Sequence, residues 1–424
     1  MIYITWSSFI FNDVSDLKKR ISNALLKIDS EVEARTHLER SDLLDGLGGI
    51  SMYHLNRFHL TRDAKHEEKA LGLLDRVLVE IGQQQLPSFI SLGIPTAAPC
   101  WLIDQFIQRE FLDLEERTNT KPIIEYIIEQ TQNYELANNF HDLFYGFIGK
   151  GILLLENQKE DNKSYIHTLI DIIRSNSIRT ENGSYWNTPS TFFPSDDFQK
   201  TINYGIPHGT CGIILFLLKC ADVYHLNSQL RELLRSSIDW LIYQLDKENN
   251  NLKYSYSPLE ASATGKLGWC YGDQTLAFTL LRYYETYNYP RALAKAWELI
   301  RQSSIKPIDQ TGLKFYSKYG YYDMRVCHGT SSVAYMWKRM FDITRDYRLE
   351  DLANKWVTLT LDNLDIFLPQ LEIISSLEKD NEAIDFSMGF INGLSGVGLV
   401  LMSFVDPKLS DWDKLLLLDR PGRE

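Results

Sequence analysis

A short glycine-containing segment recurs seven times along the chain, and this repeat restricts the fold more than any other feature. The copies are DGLGGI at 45–50, LGIPTAAP at 92–99, YGFIGKGI at 145–152, PHGTCGI at 207–213, WCYGDQTLA at 269–277, CHGTSSVA at 327–334 and NGLSGVGL at 392–399. Each copy precedes an apolar run with helical spacing, and neighbouring copies are roughly 47 to 65 residues apart. Self-similarity at such a period predicts a repeat architecture.

Amphipathic stretches between the glycine segments complete the repeat. SYIHTLIDIIRS at 164–175 and ALAKAWELIRQ at 292–302 are two of seven stretches in which apolar residues recur every three or four positions. The runs after the glycines are apolar nearly all round, which predicts that they are buried. Seven helices of each kind in alternation predict an all-α fold, an α/α toroid with seven inner and seven outer helices. We expect residues 1–424 to form one domain of this kind.

Three short segments interrupt the helical pattern with aromatic residues that follow Asn or Gly turns. They lie near 183–192, 252–262 and 312–322. Strand-forming residues after such turns predict small β-hairpins. We expect these hairpins at one mouth of the ring, the end at which the inner helices begin, and we expect the functional site at the same mouth.

Composition excludes some functions. The formal net charge is −12, so binding to a nucleic-acid backbone, which needs clustered Lys and Arg, is not expected. The N-terminal segment lacks a basic start, and no apolar run is long enough to span a bilayer. The cysteines are odd in number and widely spaced, which is typical of free thiols or metal ligands in a reducing, cytoplasmic setting. These are Cys100, Cys211, Cys220, Cys270 and Cys327.

Two neighbouring glycine segments carry residues that bind metals. Cys327 and His328 are adjacent in CHGT, and Cys270 holds the equivalent place in the preceding repeat. Neighbours in a regular helix point about 100° apart, but the turn before a helix is not yet helical, so both side chains can converge there. Two thiolates and one imidazole would neutralise one Zn²⁺ and leave its fourth position open, as in catalytic zinc sites. A thiol that takes this position loses its proton.

Other polar residues precede inner helices at the same mouth. His208 is a candidate general acid or base, although it could also satisfy a buried carbonyl. Asp142 could orient His208 or could cap the turn before its own helix. Cys211 is expected to be a small buried apolar residue rather than a ligand.

PHGTCGI, GWCYGD and CHG, in this order, resemble the signature segments of the LanC-type lanthipeptide cyclases over nearly the whole chain. The resemblance implies an α/α toroid with a central zinc. It also implies an enzyme that adds peptide Cys thiolates to dehydroalanine or dehydrobutyrine in a dehydrated precursor peptide, which closes (methyl)lanthionine thioether rings. The implied zinc ligands are Cys270, Cys327 and His328, and the implied catalytic residues are His208, Asp142, Tyr271 and Lys266.

The chain departs from the family pattern at three places. Lys266 stands where the family commonly has Arg, DQT follows WCYG in place of Pro-Gly, and SS follows CHGT where the family usually keeps a glycine. Lysine keeps the charge at this place but cannot form a bidentate fork. The resemblance further implies a dehydratase partner and an exporter complex that could hold the protein at the membrane periphery.

Two alternative functions remain. A LanC-like protein could bind zinc and hold glutathione or a protein thiol without cyclising a peptide. An α/α ring enzyme of the protein prenyltransferase β-subunit type would also use a zinc-bound thiol, but it needs an Asp-Cys-His ligand set, and the CHG pair argues against it.

Overall fold

Helices of two kinds alternate along the chain. A computed structural model describes residues 14–36, 41–83, 98–130, 141–156, 162–187, 202–252, 265–372 and 387–420. The outer helices in this part of the chain are α1 (Val14–Arg35), α3 (Ala64–Gln83), α5 (Arg117–Gln130), α7 (Lys163–Ser175), α9 (Asn227–Lys247), α11 (Pro290–Ser304) and α13 (Tyr347–Phe367). The inner helices are α2 (Leu47–Thr61), α4 (Ala98–Gln108), α6 (Phe147–Glu156), α8 (Thr210–Tyr224), α10 (Asp273–Tyr287), α12 (Thr330–Thr344) and α14 (Leu394–Val405).

The burial of the two kinds of helix follows their sequences. In α8, an inner helix, all but two of the residues are buried. In α11, an outer helix, the buried residues recur every three or four positions, from Ala292 to Ser303. The predicted all-α toroid of seven inner and seven outer helices is therefore confirmed. None of the described helices is both long enough and apolar enough to cross a membrane.

Backbone hydrogen bonds join the glycine turns of neighbouring repeats. In each bond an amide N–H of one turn donates to a carbonyl oxygen of another. The four bonds run from Leu143 to Pro207 (2.9 Å), from Ile206 to Cys270 (3.2 Å), from Cys327 to Ile391 (3.2 Å) and from Phe390 to Leu44 (2.7 Å). The last bond joins the seventh repeat to the first, so it closes the ring. Gly212, the second glycine of PHGTCGI, allows the backbone to pack closely within its turn. A Cβ atom at this position would lie 2.0 Å from the Ile206 carbonyl oxygen.

Two antiparallel hairpins decorate the helices. Strand β1 (Ile178–Thr180) pairs with β2 (Gly183–Tyr185), which packs against α9, where the Tyr185 and Trp240 rings stack with centroids 4.8 Å apart. Strand β3 (Phe315–Tyr316) pairs with β4 (Tyr321–Tyr322) and leads directly into the turn before α12. Strands were therefore found within the predicted segments 183–192 and 312–322. Most of the predicted segment 252–262 lies outside the described residues.

The C-terminal segment fills the inside of the ring below the glycine turns. It includes a 3₁₀ helix (Pro407–Leu416), and the Leu416 carbonyl accepts a hydrogen bond from the Trp269 indole (2.9 Å). Equivalent positions of α8 and α12 carry buried cations that pair with this segment. Lys219 lies 2.6 Å from Asp419, and Arg339 lies 3.0 Å from Asp413. Buried charges of opposite sign therefore fix the segment in the ring.

Replacing Lys219 by Met tests this ionic attachment. The change leaves Asp419 buried without its lysine and removes one of the two lysines that pair with Glu156, which lies 2.8 Å from Lys219 and 3.4 Å from Lys414. Breaking one side of a buried pair costs about 3–5 kcal/mol, so we expect a loss of that size in the free energy of unfolding, measured by chemical denaturation.

The matched control is Lys27→Met, which breaks the exposed pair between Lys27 and Asp365. We expect the control to cost less than about 1 kcal/mol. Equal losses for the two variants would contradict the account of the C-terminal segment.

Candidate metal centre

The three predicted metal ligands lie together at the mouth of the ring. Cys270 is in the turn before α10, and Cys327 and His328 are in the turn before α12. One ligand atom from each residue lies within 4.8 Å of the other two. Two sulfurs and one imidazole nitrogen form a donor set that suits Zn²⁺, and three such ligands leave a fourth position for water or substrate. The cluster therefore fits a metal ion of this type.

Neighbouring elements hold the Cys270 turn in place. Gly268 and Gly272 flank it with φ angles of +131° and +104°, which favour glycine. The Trp269 amide donates to the Ser332 hydroxyl of α12 (2.8 Å). Ser332 belongs to the SS pair at which this sequence differs from the family pattern. This serine therefore links the Cys270 turn to the helix that follows Cys327 and His328.

The local electrostatics favour a thiolate at Cys270. Burial by itself raises the pKa of this thiol, but a hydrogen bond with Cys327 and the positive charge of Lys266 outweigh burial. The pKa of Cys270 is therefore well below its ordinary value. A deprotonated sulfur is the form that binds metals, so the turn is prepared for a cation.

His208 and Asp142 form a pair beside the metal cluster. His208 Nδ1 lies 2.5 Å from Asp142 Oδ2, while Asp142 Oδ1 accepts hydrogen bonds from the amides of Phe144 (2.8 Å) and Tyr145 (3.0 Å). Asp142 thus caps its turn with one oxygen and contacts the imidazole with the other. Burial lowers the pKa of His208, but the Asp142 carboxylate outweighs this effect, and the net pKa is raised.

Lys266 and Tyr271 stand on either side of Cys270 in the sequence and lie close to each other in space. The Lys266 ammonium is 6.0 Å from the centroid of the Tyr271 ring. Among the residues that the structure describes, no carboxylate forms an ion pair with Lys266. The Tyr271 hydroxyl accepts a hydrogen bond from Asn203 (3.2 Å). The structure thus groups all four predicted catalytic residues around the cluster of predicted ligands.

Three further residues lie at this site that the sequence motifs did not indicate, namely Asn203, Asp323 and Arg325. Asp323 Oδ2 lies 3.2 Å from His328 Nε2, and Arg325 holds Asp323 through a 2.7 Å ion pair. One signal was available, because Asn203, Lys266 and Asp323 each stand six residues before the glycine that precedes an inner helix. Equivalent positions of consecutive repeats face the same mouth.

The remaining cysteines are buried and belong to no such cluster among the residues that the structure describes. Cys100, Cys211 and Cys220 are fully buried. Burial raises the pKa of Cys211 to about 12 and raises the pKa values of the other two as well. These thiols therefore remain protonated at neutral pH, as expected for Cys211.

Metal analysis of the purified protein tests the cluster. After incubation with zinc and removal of the excess, we expect one metal ion per chain in the wild type and almost none in Cys327→Ala, because two ligands cannot hold the ion tightly. Cys220→Ala is the control, since Cys220 is a buried thiol of an inner helix. Retention of a full equivalent by Cys327→Ala would show that the metal binds elsewhere.

Comparisons with known proteins agree with this geometry. The family described as "Lanthionine synthetase C-like protein" matches residues 109–417. Among solved structures, nisin cyclase has a similar fold, with a TM-score of 0.67 over 95% of this chain and 98% of that chain, at 16% sequence identity. No curated protein sequence matches the chain significantly. Since the family match covers more than half of its residues, the chain belongs to the lanthionine synthetase C-like family.

Proposed function

We propose that this chain is a zinc-dependent lanthipeptide cyclase, which adds Cys thiolates of a dehydrated precursor peptide to dehydroalanine or dehydrobutyrine. The observation that carries the proposal is the pairing of two chemical units in adjacent glycine turns. The Asp142–His208 pair and the Cys270–Cys327–His328 cluster are joined by the hydrogen bond from the Ile206 amide to the Cys270 carbonyl. One unit handles protons, and the other activates a thiol.

Ring closure requires a nucleophilic sulfur and stabilisation of negative charge. A zinc ion held by Cys270, Cys327 and His328 would lower the pKa of an incoming peptide thiol. The thiolate sulfur adds to the β-carbon of the dehydroamino acid, and the π electrons move toward the adjacent carbonyl oxygen. Lys266 is a cation at the mouth that would balance this charge. Lysine offers a point charge rather than a planar fork, which leaves more freedom in the position of the oxygen.

His208 would complete the reaction with a proton. Its Nδ1 contacts the Asp142 carboxylate, and Nε2 is the nitrogen that would give the proton to the substrate. The raised pKa of His208 keeps part of the imidazole protonated near neutral pH. Donation from Nε2 to the α-carbon of the enolate gives the saturated thioether, and the proton that the thiol released balances the one consumed. Tyr271, held by Asn203, would line the substrate position.

The substrate determines the partners. The dehydroamino acids must be made before cyclisation, so a dehydratase that acts on Ser and Thr of the same precursor would precede this enzyme. We further propose that the protein works in the cytoplasm, where its thiols stay reduced, and that a complex with the dehydratase and an exporter could hold it at the membrane periphery.

A direct assay uses a dehydrated precursor peptide and counts free thiols by alkylation and mass spectrometry. We expect the wild type to consume the peptide thiols without a change in peptide mass. Cys327→Ala should lose at least about 100-fold in rate, because thiol activation depends on the metal. Unaided addition gives a slow background, so rates are compared with a reaction without enzyme.

The same assay separates the proposed cyclase from a thiol-binding protein. Glutathione is added in a parallel reaction. Zinc-dependent binding of glutathione together with no acceleration of ring closure would contradict the cyclase proposal and favour the alternative of a LanC-like thiol binder.

Asp142→Asn tests the role of the His208 pair through the pH dependence of ring closure. The carboxylate raises the pKa of His208 above its ordinary value, and without it the effect of burial would dominate and lower the pKa. The protonated donor would then be lost at lower pH. We expect the decline of kcat on the alkaline side to move to lower pH by about 1 to 2 units.

Asp42→Asn is the matched control for this experiment. Asp42 caps the equivalent turn of the first repeat by accepting from the Asp45 amide (2.8 Å), and it is not one of the proposed catalytic residues. Its pH profile should match that of the wild type. An unshifted profile in Asp142→Asn would show that His208 does not supply the proton.

A further inference from the structure

A buried carboxylate contacts the imidazole of the metal cluster. Asp323 follows β4 directly and is only 1% exposed. Its Oδ2 lies 3.2 Å from His328 Nε2. Because Asp323 is removed from water, its hydrogen-bonding partners are the protein groups around it, and the imidazole is one of them. The remaining nitrogen of His328, Nδ1, is not engaged by this carboxylate.

We propose that Asp323 is a positioning residue that fixes the tautomer and the ring orientation of His328, so that Nε2 carries the proton and Nδ1 is the nitrogen presented to the metal. Metal-binding histidines commonly donate their second ring N–H to a carboxylate, which orients the ring and makes the ligand nitrogen more basic. The inference rests on the proposed zinc site and deepens it. It concerns how tightly and through which atom the site binds.

Arg325 keeps the carboxylate in place. Its Nη2 lies 2.7 Å from Asp323 Oδ2, and its Nε lies 3.1 Å from Oδ1, so the guanidinium contacts both oxygens. Arg325 Nη2 also comes within 3.0 Å of His328 Nε2. The roles of these two nitrogens depend on the tautomer of His328. In the proposed tautomer both donate to Asp323 Oδ2, whereas in the other tautomer Nε2 would accept from Arg325. The positive charge of Arg325 offsets the free-energy cost of burying the Asp323 carboxylate.

The hairpin extends this arrangement to the mouth. Arg325 Nη2 donates to the hydroxyl of Tyr316 in β3 (3.3 Å). A continuous series of contacts therefore runs from Tyr316 through Arg325 and Asp323 to His328. The β3–β4 hairpin, which decorates the ring, thus braces a residue of the metal cluster.

The repeat itself gives independent support. Asp323, Lys266 and Asn203 occupy the same position in three consecutive repeats, six residues before the glycine that precedes the inner helix. Asn203 binds the Tyr271 hydroxyl, and Lys266 lies beside the Tyr271 ring. Each of the three side chains thus approaches a residue of the site, so the contact of Asp323 with His328 follows the pattern of its equivalents.

A structural role of Asp323 must be separated from this positioning role. Asp323 Oδ1 accepts from the Arg325 amide (2.9 Å), and the Asp323 carbonyl accepts from the Thr330 amide (2.8 Å). Asn203 makes the same two turn contacts in its own repeat, with the amides of Gly205 (2.8 Å) and Thr210 (2.9 Å). Asparagine can therefore hold this turn, and Asp323→Asn removes the charge while it keeps the turn.

The test measures zinc affinity by competition with a chromophoric chelator. We expect Asp323→Asn to bind zinc about 10- to 100-fold more weakly than the wild type, while its circular dichroism spectrum before zinc is added shows the same helical fold. The control is Asp29→Asn, which breaks another Asp–Arg pair, with Arg57, between α1 and α2. Its zinc affinity should stay within about twofold of the wild type. As a second measurement, ¹⁵N-histidine NMR of the zinc-loaded wild type should show a metal-bound Nδ1 and a protonated Nε2 at His328.

The outcomes distinguish this inference from the function on which it rests. If the wild type binds zinc and Asp323→Asn binds it equally tightly, or if Nε2 carries the metal, the inference is wrong and the proposed zinc site stands. If the wild type binds no zinc at all, the proposed function and the inference both fail.

Discussion

Hydrogen bonds between neighbouring glycine turns hold in place the backbone that carries the polar side chains at the mouth of the ring. The Ile206 amide binds the Cys270 carbonyl, and the Cys327 amide binds the Ile391 carbonyl, so each turn that carries functional residues is tied to another turn. Such close backbone contact excludes a Cβ atom at several positions, as at Gly205, where it would lie 2.5 Å from the Cys270 carbonyl oxygen. The glycines therefore serve function indirectly, because they let residues far apart in sequence meet at one cluster.

Two polar systems occupy the inside of this apolar ring. One is the cluster at the mouth, where Lys266 and Arg325 lie near the two cysteines of the predicted ligand set. The other lies deeper, where Lys219 and Arg339 of the inner helices pair with Asp419 and Asp413 of the C-terminal segment. The Trp269 indole bonds to this segment at the Leu416 carbonyl and precedes Cys270 directly. The C-terminal segment thus supports the turn that carries Cys270. Removal of the charges that hold this segment should loosen that turn.

Much of this arrangement could be predicted from sequence, because it follows from periodicity and short motifs. The alternation of amphipathic and fully apolar helices gave the ring, and equivalent positions in adjacent repeats brought Cys270 to Cys327 and His328. The partner of His328 could not be predicted in the same way. Asp323 and Arg325 carry no motif, and an aspartate before a glycine turn is most often a simple cap. Their role depends on the direction of two side chains in a buried turn, which sequence spacing does not determine. Asp142 was ambiguous for the same reason, and its two oxygens in fact make both of the contacts considered.

The central claim is that two sulfurs and one imidazole at the mouth hold a zinc ion with one position left for a peptide thiol. X-ray absorption spectroscopy at the zinc edge tests it most directly. The account predicts two sulfur neighbours at about 2.3 Å and nitrogen or oxygen neighbours at about 2.0–2.1 Å in the protein alone. Addition of a cysteine-containing substrate peptide should raise the sulfur count to three. A count that stays at two with the peptide bound, or a shell without protein sulfur, would contradict the account.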